Sequence, residues 1–230
     1  MVDPIEDRRC YASETQRKIL VDLLSEVPIA KSFFLTGGTA LSVFYLHHRR
    51  SEDIDLFTLS LRSLNEISLW VKRTWAAKVA IIKESPQFLS CLIKGVRVDL
   101  AVDPLSSNEK RPAVHLETNV TLQVDTMANI ASNKLCAAAS RMEPKDLVDL
   151  YFVFKACERI RLEEVYRLAR KKEVMFDDPP TVAYQMEEAV NFLKAQPELF
   201  PQTLIELNKD EFFRFFEELT KNIYAMLEPR

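Results

Sequence analysis

Glycine is nearly absent: 3 residues in 230, and two of them are adjacent, Gly37-Gly38. That scarcity excludes glycine-rich linkers and repeats. It also marks the pair as a place where the backbone needs freedom that other residues lack. Excess positive charge is missing too. Lys and Arg number 31 against 34 Asp and Glu, for a net charge of −3. A protein that coats nucleic acid through a global basic field is therefore excluded, although a local basic patch is not. The four cysteines, Cys10, Cys91, Cys136 and Cys157, are widely separated and form no CxxC pair. Buried thiols in a reducing compartment are expected, with no disulfide framework and no zinc site. No apolar run reaches the length of a membrane span. The opening MVDPIEDRRC lacks the apolar core of a signal peptide, so a cytoplasmic protein is expected.

What remains is an ordinary globular composition, 47% hydrophobic and 28% charged, with length for a sizeable core. Ser13 can cap a helix over residues 13–26, in which Ile19, Leu20, Leu23 and Leu24 recur at helical spacing. Phe33 to Thr36 reads as a short apolar strand, Thr39 to His47 as a helix, Asp53 to Leu59 as an alternating strand and Arg62 to Trp75 as a helix. Three strands are expected next, around Val79 to Ile82, over Phe88 to Ile93 and over Val96 to Val102. Lys94-Gly95 forms a tight turn between the last two. Residues 104–115 read as a loop. From about residue 126 the pattern is helical, broken near Pro144, Pro179-Pro180 and Pro197 to Pro201. The expected class is α+β: a short mixed sheet flanked by helices over residues 1–120, then an all-helical domain over 121–230.

The chemistry concentrates behind the glycine pair. Strand residues i and i+2 share a face with Cα atoms roughly 6.5–7 Å apart, so Asp53 and Asp55 point one way and Ile54 and Leu56 the other. Two carboxylates so close repel unless a cation lies between them, and a hard ion such as Mg²⁺ suits them. The alternative is a pair of acids facing water. Gly37-Gly38-Thr39, at a strand-to-helix turn, would let a phosphate approach backbone N–H groups at a helix N-terminus, with the Thr39 hydroxyl as a further donor. Asp99, alternating with Val98 and Leu100, could supply a third carboxylate and serve as metal ligand or as base. An ion pair with a basic neighbour is its other reading. Asp103 shares its face and is the weaker candidate.

With those residues in view, FLTGGTALSVFYLHHRRSEDIDLF resembles the signature of the AbiEii-type nucleotidyltransferases, a branch of the DNA polymerase β-like superfamily. The matching positions include Gly37, Gly38, Thr39, Ala40, Leu41, His48, Arg49, Ser51, Asp53, Asp55 and Phe57. A second stretch, NKLCAAASRMEPKDLVDLYFVF, is similar to the family's helical motif at Lys134, Arg141, Lys145, Asp146 and Asp149. The resemblance implies a nucleotidyltransferase core with a helical C-terminal domain. It implies NMP transfer from an NTP to an acceptor hydroxyl, RNA or tRNA among the candidates, with Mg²⁺ or Mn²⁺ as cofactor. It further implies a toxin of a toxin–antitoxin or abortive-infection system with a separate antitoxin partner. On it, Asp53, Asp55 and Asp99 hold metal. Lys134, Asp146 and Asp149 join them as catalytic candidates, and Gly37, Gly38, Thr39, Ser51, Arg141 and Lys145 bind nucleotide.

The residues of the second motif leave alternatives open on their own. Asp146 and Asp149 are i and i+3 on a helix started by Pro144, where acids are ordinary first-turn chemistry. Asp149 could equally pair with Arg141 or Lys145 to join two helices. The run Arg167 to Lys172 is a candidate RNA strip or a solvated helix face. The other functional readings are transfer to a small molecule or protein, and a catalytically silent binding protein of the same fold.

Overall fold

A computed structural model describes residues 3–60, 62–106 and 108–226, with the backbone alone at Val27 and Pro28. The chain separates into two compact units, Val2–Thr126 and Met127–Arg230.

The first unit is built on one mixed seven-stranded sheet. Its strands are β1 (Phe34–Thr36), β2 (Ile54–Thr58), β3 (Val79–Ser85), β4 (Phe88–Ile93), β5 (Val96–Val102), β6 (Ala113–Glu117) and β7 (Val120–Val124). They lie in the order β3-β4-β5-β2-β1-β7-β6. β1 is central and buried at all three positions, with β2 antiparallel on one side and β7 parallel on the other. β2 and β5 run parallel, with Asp55 opposite Asp99. The apolar alternation explains the burial: Ile54, Leu56, Val98 and Leu100 are fully buried, while Asp55 and Asp99 face the half-exposed side.

Helices frame the sheet. α1 (Glu14–Leu24) starts where the Ser13 hydroxyl accepts from the Gln16 amide at 3.1 Å, the cap its sequence predicts. α2 (Val27–Ser32) begins at a proline in its first turn and was not anticipated. α3 covers residues 37–46. Gly37–Thr39 forms its first turn, and Ala40–Leu46 is wound as a π-helix whose residues are all buried. α4 (Asn65–Trp75) starts three residues later than the expected Arg62. Lys94 and Gly95 have φ of 50° and 84°, the paired left-handed residues that a two-residue hairpin requires.

The loop expected over 104–115 is corrected at its end: β6 begins at Ala113, pairs antiparallel with β7, and both belong to the sheet. β7 buries Val120, Leu122 and Val124 in strict alternation, a signal that lies outside the loop's polar stretch.

The second unit is helical: α5 (Met127–Arg141), α6 (Pro144–Ala156), α7 (Leu162–Arg170), α8 (Pro179–Ala195) and α9 (Lys209–Tyr224). Pro144 and Pro179 open α6 and α8, so those expected breaks are helix starts. Tyr151 packs on Phe212 and Phe215 at ring-centroid distances of 5.4 and 5.5 Å, which places the C-terminal aromatic cluster in this unit's core.

Candidate active site

Gly37 sits where β1 turns into α3, with φ of +70°. A Cβ built there would lie 2.2 Å from Oδ2 of Asp55, so the bare Cα is what lets that carboxylate lie over the turn. At Gly38 a Cβ would meet Arg49 Nη2 at 2.7 Å and Ser51 Oγ at 3.0 Å. The glycine pair thus admits two charged side chains of the protein itself to the start of α3. The N-cap residue Thr36 does not cap that helix with its side chain, and its hydroxyl donates instead to Asp125 Oδ2 at 2.8 Å. The helix start, with its partial positive charge, lies against the Asp55 carboxylate.

Asp53, just before β2, and Asp55 within it are partly exposed and both sit at this end of the sheet. Register places Asp55 between Thr36 of β1 and Asp99 of β5. Asp99 is held from two sides. Ser90 Oγ, opposite it on β4, donates to Oδ1 at 2.5 Å, and Arg97 Nε donates to both oxygens at 3.2 Å. The ion pair weighed for Asp99 is therefore present, and the Asp99 carboxylate raises the Arg97 pKa above its usual value. Aligned backbones bring Asp55 and Asp99 to one face, with Asp53 just before β2, but the oxygens of the three do not all lie within 4.8 Å of one another. The one group of metal-ligating side chains that close, among the described residues, lies elsewhere.

Thr39 and Ser51 are buried and brace this arrangement. The Thr39 hydroxyl bonds Ser51 Oγ at 2.9 Å and the Asp53 carbonyl oxygen, which also accepts from Gln16 Nε2 at 3.2 Å. Gln16 is fully buried, and its Oε1 accepts from the Ala12 amide at 2.8 Å. The Asp53 backbone is thus tied to the start of α1 and to α3. Asp125 plays a similar part at β1. It is fully buried, receives Thr36 and Arg111 Nε (3.1 Å), and its carbonyl accepts from Tyr45 Oη at 2.8 Å. Sequence reasoning missed Gln16 and Asp125, because their partners are backbone and side-chain atoms distant in sequence. Ser90 was missed too, although the register set by the Lys94-Gly95 turn places it across the hairpin from Asp99 and could have found it.

In the second unit, Lys134 Nζ lies 2.7 Å from Asp146 Oδ1 and 2.7 Å from Asp149 Oδ2, and both acids are fully buried. Arg141 Nε donates to Asp146 Oδ2 at 2.9 Å, and Lys145 pairs with Glu143 at 3.0 Å. The structure brings together four of the five residues of this motif and joins α5 to α6 through them. Arg141 and Lys145 stay about half exposed (50% and 42% of the side chain). Lys172, from the candidate RNA strip, is instead turned onto α5, with Asn129 Oδ1 at 2.7 Å and Ser132 Oγ at 2.8 Å.

Comparison with known proteins bears on the family and the fold. The uncharacterized protein aq_aa25 of Aquifex aeolicus (strain VF5) is 28% identical over 208 residues, covering 90% of this chain and 94% of that one. Among solved structures, the nucleotidyltransferase toxin MenT4 of Mycobacterium tuberculosis superposes with a TM-score of 0.57 at 18% identity, covering 93% of this chain and 83% of that one. A Helicobacter pylori protein superposes with a TM-score of 0.56 at 18% identity, covering 94% and 96%. At such identities the likeness speaks for the fold. No helix among the described residues is long and apolar enough to cross a membrane. The family model of the nucleotidyl transferase AbiEii toxins of type IV toxin–antitoxin systems matches residues 18–223, and the chain belongs to that family of nucleotidyltransferase enzymes.

Proposed function

We propose that this nucleotidyltransferase moves an NMP from an NTP to a hydroxyl of RNA, with tRNA the first candidate, in a Mg²⁺-dependent reaction that Mn²⁺ can also support. The observation that carries the proposal is Asp55: its carboxylate lies over Gly37, beside the first N–H groups of α3, and its backbone is aligned with Asp99. A triphosphate at those N–H groups would lie beside an acidic sheet face, which without a cation would repel it.

The donor set fits a hard divalent ion. Asp53, Asp55 and Asp99 are partly exposed oxygen donors, with Asp55 aligned with Asp99 and Asp53 just before the start of β2. Those three residues would hold the metal, which when bound supplies charge neutralisation at the triphosphate and favours ionisation of the attacking hydroxyl. The chain's own contributions follow from the geometry. Gly37 and Gly38 leave the first turn of α3 open to phosphate oxygens. Thr39 and Ser51 act as positioning residues that fix the Asp53 backbone. Asp99, oriented by Ser90 and Arg97, accepts the proton of the acceptor hydroxyl as it attacks the α-phosphorus, and pyrophosphate leaves. The rate enhancement comes from positioning and charge neutralisation.

A separate proposal covers the second unit: Lys134, Asp146, Asp149, Arg141 and Lys145 serve nucleotide handling. Its test is the NTP KM of Arg141→Gln and Lys145→Gln, with thermal stability measured alongside because Arg141 also holds the buried Asp146; an unchanged KM in both would exclude the two cations. A toxin role supports RNA as the acceptor, since capping a ribose hydroxyl of an RNA needed for growth arrests the cell, and it supports a separate antitoxin partner. The acceptor test is incubation of α-phosphate-labelled NTPs with total RNA, total protein and small-molecule extract. Label in RNA, lost with Asp53→Ala/Asp55→Ala, is expected. Label only in protein or small molecules would overturn the RNA acceptor.

A further inference from the structure

Away from the acidic face, three side chains of different donor type meet in the first unit. Ligand atoms of Asp7, Cys10 and His47 all lie within 4.8 Å of one another. Asp7 and Cys10 come from one short turn: Asp7 caps the 3-10 helix Arg8–Cys10, and the Cys10 amide donates to the Asp7 carbonyl at 3.1 Å. The same turn is tied to α3 by the Asp7 amide, which donates to the Val43 carbonyl at 2.9 Å. His47 ends α3 in a left-handed conformation, φ 53°, as its amide closes the π-winding on Ser42. A non-glycine residue held there needs a compensating reason.

His47 Nδ1 is buried and has no hydrogen-bond partner among the described residues. Leaving a buried polar atom unpaired costs about 1–3 kcal/mol, so something should satisfy it. The Cys10 thiol beside it is fully buried and free of any disulfide. Asp7 accepts from Arg9 on both oxygens, through the backbone amide, Nε and Nη2. Those contacts occupy its acceptor sites, so a metal would displace part of the Arg9 fork, whose side chain is 82% exposed and can turn to water.

We propose that Asp7, Cys10 and one ring nitrogen of His47 bind a borderline-soft transition metal of the Zn²⁺ class. The donor set selects against Mg²⁺ and for Zn²⁺: thiolate and imidazole suit the softer ion, and thiolate plus carboxylate together neutralise a divalent charge. Tetrahedral zinc with bonds of roughly 2.0–2.3 Å sets ligand atoms about 3.3–3.8 Å apart. Separations within 4.8 Å are at most about 1 Å wider than that span. The half-buried Asp7 and His47 leave the fourth position to water. Bound metal would staple the N-terminal segment to the far end of the helix whose first turn is Gly37-Gly38. This site is independent of the proposed function: it shares no residue with the acidic face, and its metal has a different chemistry.

The metal-stripped full-length protein, held in saturating Mg²⁺, is titrated with Co²⁺ and then Zn²⁺. Stoichiometric Co²⁺ is expected to give a thiolate-to-cobalt charge-transfer band, which Zn²⁺ abolishes. Cys10→Ser should remove the band, and His47→Asn should weaken binding at least about tenfold, since even outer-shell partners of metal ligands are worth that much. Cys91→Ser should change neither. Cobalt held by carboxylates alone gives no such band, so binding at the acidic face is not confused with this site. No band in the wild-type protein, or an undiminished band in Cys10→Ser, overturns the proposal. Zn²⁺ should also raise the Tm of the wild-type protein and not that of Cys10→Ser; an equal rise in both would count against the site.

Discussion

Gly37→Ala separates two costs that a glycine substitution usually mixes. Placing alanine at φ +70° carries a backbone strain of about 1–2 kcal/mol. The added Cβ would also stand 2.2 Å from Asp55 Oδ2, where ordinary contact begins at 3.4 Å, so the carboxylate must retreat by 3.4 − 2.2 = 1.2 Å. Misplacing a reacting group by about 1 Å costs on the order of 100-fold in rate. Gly95→Ala supplies the control: its φ is +84°, yet nothing lies within 4 Å of its Cβ. Both variants should lose about 1–2 kcal/mol in urea denaturation. Pyrophosphate release should fall about 100-fold in Gly37→Ala and stay near wild type in Gly95→Ala. A Gly37→Ala enzyme retaining more than about a tenth of wild-type turnover would refute the placement of Asp55 at the chemistry.

Two further outcomes follow from buried groups. Lys134→Met leaves Asp146 and Asp149, both fully buried, without their shared ammonium, and should cost about 3–5 kcal/mol by urea denaturation; a loss below about 1 kcal/mol would show that the network is not holding α5 to α6. Burial pushes the thiol of Cys91 up to about 11 and that of Cys136 up to about 12, so at pH 8 they stay protonated as well as enclosed, and Cys10 is fully buried. Cys157, part-exposed, should be the thiol alkylated in the native protein, and mass spectrometry showing another cysteine modified first would contradict the packing.

Strands β4 and β5 were legible to the residue because alternation and the Lys94-Gly95 turn fix both strand and register. Asp99 comes beside Asp55 through a different pairing, β5 parallel to β2, which the hairpin does not fix. β6 was not legible: His115 and Glu117 are polar on an edge strand, and pairing with β7 decides its conformation, whereas β7 carries a strand alternation at Val120, Leu122 and Val124. The π-winding of α3 was equally hidden, because burial on all sides removes the amphipathic period that would reveal it. At the site, Asp53, Asp55 and the glycine pair carried local signals. Gln16 and Asp125 carried none, since each works through atoms brought near only by folding. Thr39 and Ser51 were expected as nucleotide contacts. The structure shows both buried with their hydroxyls bonded to each other, and the Thr39 hydroxyl also on the Asp53 backbone, which directs the proposal toward positioning.

The decisive comparison is wild type against Asp55→Asn in pyrophosphate release from each NTP with total RNA, across a Mg²⁺ titration and after chelation. Asparagine preserves shape and removes the charge that would hold the metal. The account predicts Mg²⁺-dependent release by the wild type, abolished by chelation and reduced at least about 100-fold in Asp55→Asn, with thermal stability retained. Release that survives chelation, or an Asp55→Asn enzyme within about tenfold of wild type at every Mg²⁺ concentration, would contradict it.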